Sequence, residues 1–174
     1  MKTQSGFTLI ELMVTLAVGI VVLALGLPAI MSMMSTNQAA GYANDLVGAM
    51  RLARSEAVKR GVSVTICASN ATQTACSGND WNNGWIVFSD DNANSVYDAG
   101  ETIHRVWSIP TDQRPNLEFE TSSPSAIRYT SSGANALDAQ TTFAFQKSDC
   151  HAAQARQITI SRMGRPTLDL VTCF

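Results

Sequence analysis

Between Leu12 and Met31 run twenty residues without a charged side chain. At about 1.5 Å per residue, a helix of that length covers roughly 30 Å, the thickness of a bilayer's hydrocarbon layer. A segment so long and apolar commits this part of the chain to spanning, or nearly spanning, a membrane. The order of features around it is not that of a secretory signal, which has a basic start, a shorter apolar block and small residues at a cleavage site behind it. Here a polar leader, residues 1–6, carries Lys2 alone, and Glu11 stands at the threshold of the apolar block. An ionisable group at that place is expensive to bury and needs a partner. Pro28, inside the block, removes one helical backbone donor and crowds the preceding turn, so it predicts a bend.

The helical pattern continues past the block. Tyr42, Leu46, Ala49, Met50, Ala53 and Ala57 recur at spacings of three and four, an apolar stripe on one face. Arg51, Arg54, Lys59 and Arg60 lie mostly off that stripe, where cations suit the negative end of the helix dipole and read as a solvated face. Gly61 is the residue type most often found just past a helix end. One helix over residues 7–61 is the expectation, transmembrane in its first half.

After Gly61 the period changes to two. Val62, Val64 and Ile66 alternate with Ser63, Thr65 and Cys67, which predicts a half-buried strand. Short runs at 85–89, 102–109, 117–120, 127–130, 142–146, 157–161 and 168–172 read the same way between Gly, Pro, Asn and Ser clusters. The fold class expected is α+β: a long N-terminal helix packed on a mainly antiparallel β domain, residues 62–174. The four cysteines allow three pairings, of which Cys67–Cys76 with Cys150–Cys173 closes the shortest loops and is favoured. No cysteine stands at metal-ligand spacing, so an oxidising compartment fits better than a zinc site.

The string Gly6-Phe7-Thr8-Leu9-Ile10-Glu11 resembles the processing site of type IV pilins and type II secretion pseudopilins. That resemblance implies cleavage between Gly6 and Phe7 by a prepilin peptidase, which also methylates the new N-terminus. It implies that Glu11 neutralises a neighbouring subunit's N-terminal amine during filament assembly, and that Pro28 is the family's helix-bending proline. Further strings are similar to the GspH/FimT class of minor pilins and pseudopilins: Arg54 to Gly61 at the helix end, Gly84-Trp85-Ile86-Val87-Phe88, Ile127-Arg128-Tyr129 before Gly133, and Gln157-Ile158-Thr159-Ile160 before Gly164-Arg165. A pilin fold follows from the resemblance. So does an inner-membrane, single-pass precursor with its β domain in the periplasm, which joins a pilus after assembly.

Two further patterns concern ligands. Asp90, Asn92, Asn94, Asp98 and Glu101 place oxygen side chains at positions 1, 3, 5, 9 and 12 of a loop, the spacing of a calcium site. Ser95 occupies the position where such loops need glycine, and the flanks read as strands. The other reading, and the preferred one, is a turn whose Asp and Asn side chains bond their own backbone; no cofactor is otherwise expected. The net charge is −2, yet residues 76–120 hold eight acids against two bases, whereas residues 126–174 hold five bases against three acids. That basic end offers Arg128, Lys147, Arg156, Arg162 and Arg165 for DNA contact. Some FimT-like pilins bind DNA through a Gly-Arg-x-Arg motif, but here Thr167 replaces the second arginine, and the alternative is a turn bearing a solvated arginine. Trp81, Trp85 and Trp107 read as core, and neither His104 nor His151 suggests a relay or a metal site. No catalytic residue is assigned. The resemblance therefore implies a minor pilin that primes or caps a type IV pilus, with other pilin subunits and the peptidase as partners. A secretion pseudopilin and a DNA-uptake pilin are the alternatives.

Overall fold

A computed structural model describes residues 8–109, 117–120, 123–148, 150 and 154–174. The chain divides into two compact units, Met1–Asn37 and Gln38–Phe174, and helix α1 (Leu9–Arg60) contributes to both.

In the first unit, the stretch Leu9–Leu27 has a mean hydropathy of 2.5 and holds no buried residue. At about 1.5 Å per residue it is roughly 28 Å long, enough by length and composition to cross a membrane. Its leucines, valines and isoleucines are all exposed.

In the second unit, α1 changes character. Ala39, Tyr42, Ala43, Leu46, Val47, Ala49, Met50, Ala53 and Ala57 are buried at helical spacing. The many alanines let the helix backbone lie close to its packing surface. Gly61 ends the helix at φ +70, its N–H donating to the Ala57 carbonyl at 2.9 Å. This is the left-handed cap for which glycine has no steric cost.

Strands β1 (Val64–Ala68), β2 (Gly84–Ser89), β3 (Ile103–Ser108) and β5 (Ala126–Tyr129) form one antiparallel sheet in the order β3-β2-β1-β5. Strands β4 (Leu117–Phe119), β6 (Thr141–Lys147), β7 (Ala155–Ile160) and β8 (Pro166–Val171) form another, ordered β4-β6-β7-β8. A short 3-10 helix, Trp81–Asn83, leads into β2. Aromatic side chains fill the space between the helix and the sheets. Tyr42 meets Trp85 edge-on at 5.0 Å and Phe145 at 5.8 Å, and Trp81 meets Phe143 at 4.9 Å. Tyr42 also donates its hydroxyl to the Trp81 carbonyl, so its polar end is satisfied inside the core. Trp107, partly buried, stacks on Trp85 at 6.0 Å and lies 4.4 Å beneath the Arg105 guanidinium.

The sequence pattern for β1 requires a correction. A half-buried strand was expected there, but all five of its residues are buried. One face joins the main core through Val64 and Ile66. The other covers a smaller cluster of Cys67, Ile86 and Phe88, against which Tyr97 and Ile103 pack. Thr65, the polar residue between them, is accommodated by a 2.7 Å hydrogen bond to Asp90. An alternating sequence thus occupies a central strand because its polar Thr65 has a buried partner.

The cysteines form two disulfides, Cys67–Cys76 and Cys150–Cys173, with Cα separations of 5.6 and 5.9 Å. The second ties the segment after β8 to the segment that follows β6. Gln146 adds to it, donating to the Phe174 carbonyl at 2.7 Å and accepting from the Phe174 N–H at 2.8 Å.

Candidate functional site

At the start of α1, Glu11 is exposed, and its N–H donates to the Thr8 hydroxyl at 3.3 Å. Thr8 therefore satisfies one of the orphan donors of the first turn, and the Glu11 carboxylate is left at the surface of an uncovered apolar helix. Gly6 and Phe7 lie outside the described residues. Pro28 lies within the span of α1.

The acidic loop 90–101 is organised by its first residue. Asp90 is fully buried. Its carboxylate accepts from Thr65 Oγ1 at 2.7 Å, from the Asn94 N–H at 2.9 Å and from the Ser95 N–H at 2.9 Å, with Arg128 Nε at 4.0 Å. Asn92 and Asn94 turn their amide nitrogens toward Asp98, each at 2.8 Å. These two hydrogen bonds hold the Asp98 carboxyl below the usual carboxylate range. Glu101 accepts from the N–H groups of Asp91 and Asp98 at 3.1 and 2.9 Å. Every residue of the proposed calcium set is thus engaged in hydrogen bonds within the loop or to β1. Among the described residues, no three His, Cys, Asp or Glu side chains gather where a metal ion could be held.

A second site lies at the C-terminal end of α1. The turns after β5 and β7 meet there: a Cβ on Gly164 would stand 2.1 Å from the Gly133 carbonyl oxygen, and one on Gly133 would stand 2.8 Å from Val58 Cγ2. Both glycines have positive φ, +77 at Gly133 and +74 at Gly164, so each turn needs glycine for its conformation as well as for closeness. Arg54 locks the junction by donating Nε to the Gly133 carbonyl at 2.9 Å. The result is a cleft of about 1030 Å³ between α1 and the start of β8, where Arg51, Arg54, Lys59 and Arg165 converge. Lys59 is 3.8 Å from Glu56, a long contact, while Arg60 takes Glu56 at 2.6 Å. That stronger hydrogen bond, more than Lys59, draws the Glu56 carboxyl below its ordinary range. Arg51 and Arg165 are exposed. Four cationic heads lining one concavity can bind carboxylate or phosphate oxygens, since guanidinium groups present paired N–H donors to planar anions.

The profile of the family described as "Type II transport protein GspH" matches residues 42–164, well over half of the chain. The chain belongs to the GspH family. A second profile, the prokaryotic N-terminal methylation motif, matches residues 1–27. Two crystal structures of the Pseudomonas aeruginosa type IV minor pilin FimU share the fold. At 21% identity, one aligns over 79% of this chain and 96% of its own with a TM-score of 0.55. The other, also 21% identical, aligns over 76% and 97% with a TM-score of 0.51. No curated protein sequence matches the chain significantly.

Within this GspH-family domain, the five basic residues expected to offer a DNA surface are dispersed. Arg128 turns to Asp90, with its side chain largely covered. Lys147 ends β6, and Arg156 pairs with Phe145 and Leu170 in the part of β7 away from the β7–β8 turn. Arg162 is engaged by Asp138 through two contacts, 3.3 and 2.9 Å. Only Arg165 of the five lines the cleft, and its companions there are the helix cations read from sequence as a solvated face. Their grouping did carry a signal. Arg51, Arg54, Ser55, Val58 and Lys59 follow the i, i+3, i+4, i+7, i+8 spacing of a single helix face. The family strings ending in Gly133 and Gly164 also gain a physical reason, since those glycines are the contact between the two turns.

Proposed function

We propose that this GspH-family chain is a minor pilin that primes or caps a type IV pilus. In this reading it is processed after Gly6, methylated at the new N-terminus and held in the inner membrane by α1 until assembly, with the β domain, residues 62–174, in the periplasm. One observation carries the proposal: the methylation-motif match falls on the first part of α1, where the leucines, valines and isoleucines of Leu9–Leu27 are all exposed, with Glu11 exposed at the start. Such a helix gains stability by packing with others of its kind. In that apolar bundle a carboxylate needs a cation, and the processed N-terminal amine of a neighbour supplies one. Glu11 then fixes the register of one subunit against the next.

The test is Glu11→Ala, followed by the fraction of the subunit recovered in sheared filaments relative to membranes. We expect incorporation to fall about a hundredfold or more, the scale of a lost buried ion pair. Unchanged incorporation would remove the pairing role. The family description also supports a second reading, a pseudopilin of a type II secretion system. Complementation separates the two: a strain lacking the chain should lose surface pili rather than secreted enzymes.

A further inference from the structure

The basic cleft has no role in the processing or the pairing described above. Its walls are chemically mixed, with Val58 among the helix cations and Pro166 and Thr167, the first two residues of β8, beside Arg165. Strand β8 is the edge of its sheet: among the described residues no strand pairs with its outer side. Alternate backbone N–H and C=O groups of an antiparallel edge strand point away from its partner and are available to another chain. Cations from α1 and Arg165, together with the first residues of an edge strand, suit an extended peptide carrying carboxylates, bound through its backbone and its acids together.

We propose that this cleft docks an acidic, extended segment of a neighbouring subunit, its carboxylates held by Arg51, Lys59 and Arg165 and its backbone laid along β8. The proposal rests on the filament reading, since it supplies a contact between soluble domains that α1 does not. Arg54 is set back, with Nε on the Gly133 carbonyl, and braces the cleft floor. A nucleic acid fits less well. Phosphodiester chains carry a charge about every few ångströms and need a continuous track of cations. Here Arg60 is taken by Glu56 and Arg162 by Asp138, which interrupts any such track.

The experiment uses the full chain in neutral detergent micelles and a short fluorescent peptide of alternating glutamate and valine. Anisotropy should report binding about tenfold tighter than for the matching glutamine peptide, weakening as salt is raised. The double variant Arg51→Ala/Arg165→Ala should lose about tenfold, and Lys59→Ala about threefold. Arg162→Ala, whose partner is Asp138, should bind as the parent does. Equal binding of the two peptides, or full binding by both cleft variants, overturns the proposal. So does an oligonucleotide of the same charge that binds more tightly and is lost in the same variants, an outcome that assigns the cleft to nucleic acid. Failure here with normal Glu11-dependent incorporation leaves the filament reading intact. Peptide binding by a chain that never enters filaments removes that reading instead.

Discussion

Gly164 approaches Gly133 so closely that an added Cβ would lie 2.1 Å from the Gly133 carbonyl oxygen, the same oxygen that accepts Arg54 Nε at 2.9 Å. Two turns and one helix are joined at that carbonyl. Gly164→Ala should therefore cost about 3 kcal/mol, the sum of a left-handed φ and a clash with backbone that cannot step aside. Gly133→Ala meets side-chain atoms of Val58 and Arg54, which can shift, and should cost about 1–2 kcal/mol. Urea unfolding of both variants checks the order.

Asp90 gives a second prediction. It is buried and accepts three hydrogen bonds, from Thr65, Asn94 and Ser95. Asp90→Ala strands those donors and leaves the largely covered Arg128 without its nearby carboxylate, so stability should fall by about 3–5 kcal/mol. Limited proteolysis should then cut first within residues 90–101. In the parent protein, millimolar calcium should leave the unfolding midpoint unchanged, because the loop already satisfies itself. A clear rise in that midpoint would mean that the loop opens to take the ion.

His104 supplies a pH signature. Its Nε2 lies 2.9 Å from Ser89 Oγ, and burial, aided by the Arg60 charge and opposed by Glu56, holds its imidazole below the ordinary range. The unfolded chain therefore takes up the proton first as pH falls through about 6.5. Stability should decline from there until the folded imidazole is itself protonated, and be flat below that point as far as this group is concerned. Thermal unfolding between about pH 7 and about pH 5 should show that slope, and His104→Gln should remove it.

The two disulfides should differ in weight. Replacing Cys150 and Cys173 by serine removes a loop constraint worth about 3 kcal/mol. Replacing Cys67 and Cys76 removes a similar constraint. It also places a hydroxyl at position 67, which is fully buried against Ile86 and Phe88, so the loss should be larger. Chemical denaturation of the two double variants under identical conditions decides the order.

Much of this fold was legible in the sequence because its periods are strong. The stripe from Tyr42 to Ala57 marked the buried face of α1, and the change of period at Gly61 marked the start of the β domain. Strand ends moved by one or two residues, as at β7, which begins at Ala155 and not Gln157, because the last hydrogen bonds of a ladder depend on the partner strand. The burial of β1 on both faces was not legible, since Thr65 counts as polar until Asp90, twenty-five positions on, is known to meet it. The cleft was hidden for the same reason. Its helix cations form a periodic face that resembles any solvated face, and the meeting of two distant turns, at Gly133 with Gly164 and at Asn135 with Arg162, brings Arg165 across to them.

The clasp at the end of β8 has a mechanical consequence. Strands at the edge of a sheet are the ones that peel when a fibre is stretched, each hydrogen bond failing in turn. Here Cys173 is bonded to Cys150, and Gln146 grips Phe174 from both sides. Tension arriving at that end passes into β6, in the interior of the sheet, and must shear several bonds at once. The covalent loop also caps how far residues 150–173 can pay out, so a pulled subunit should yield in one step at a high force rather than unravel gradually.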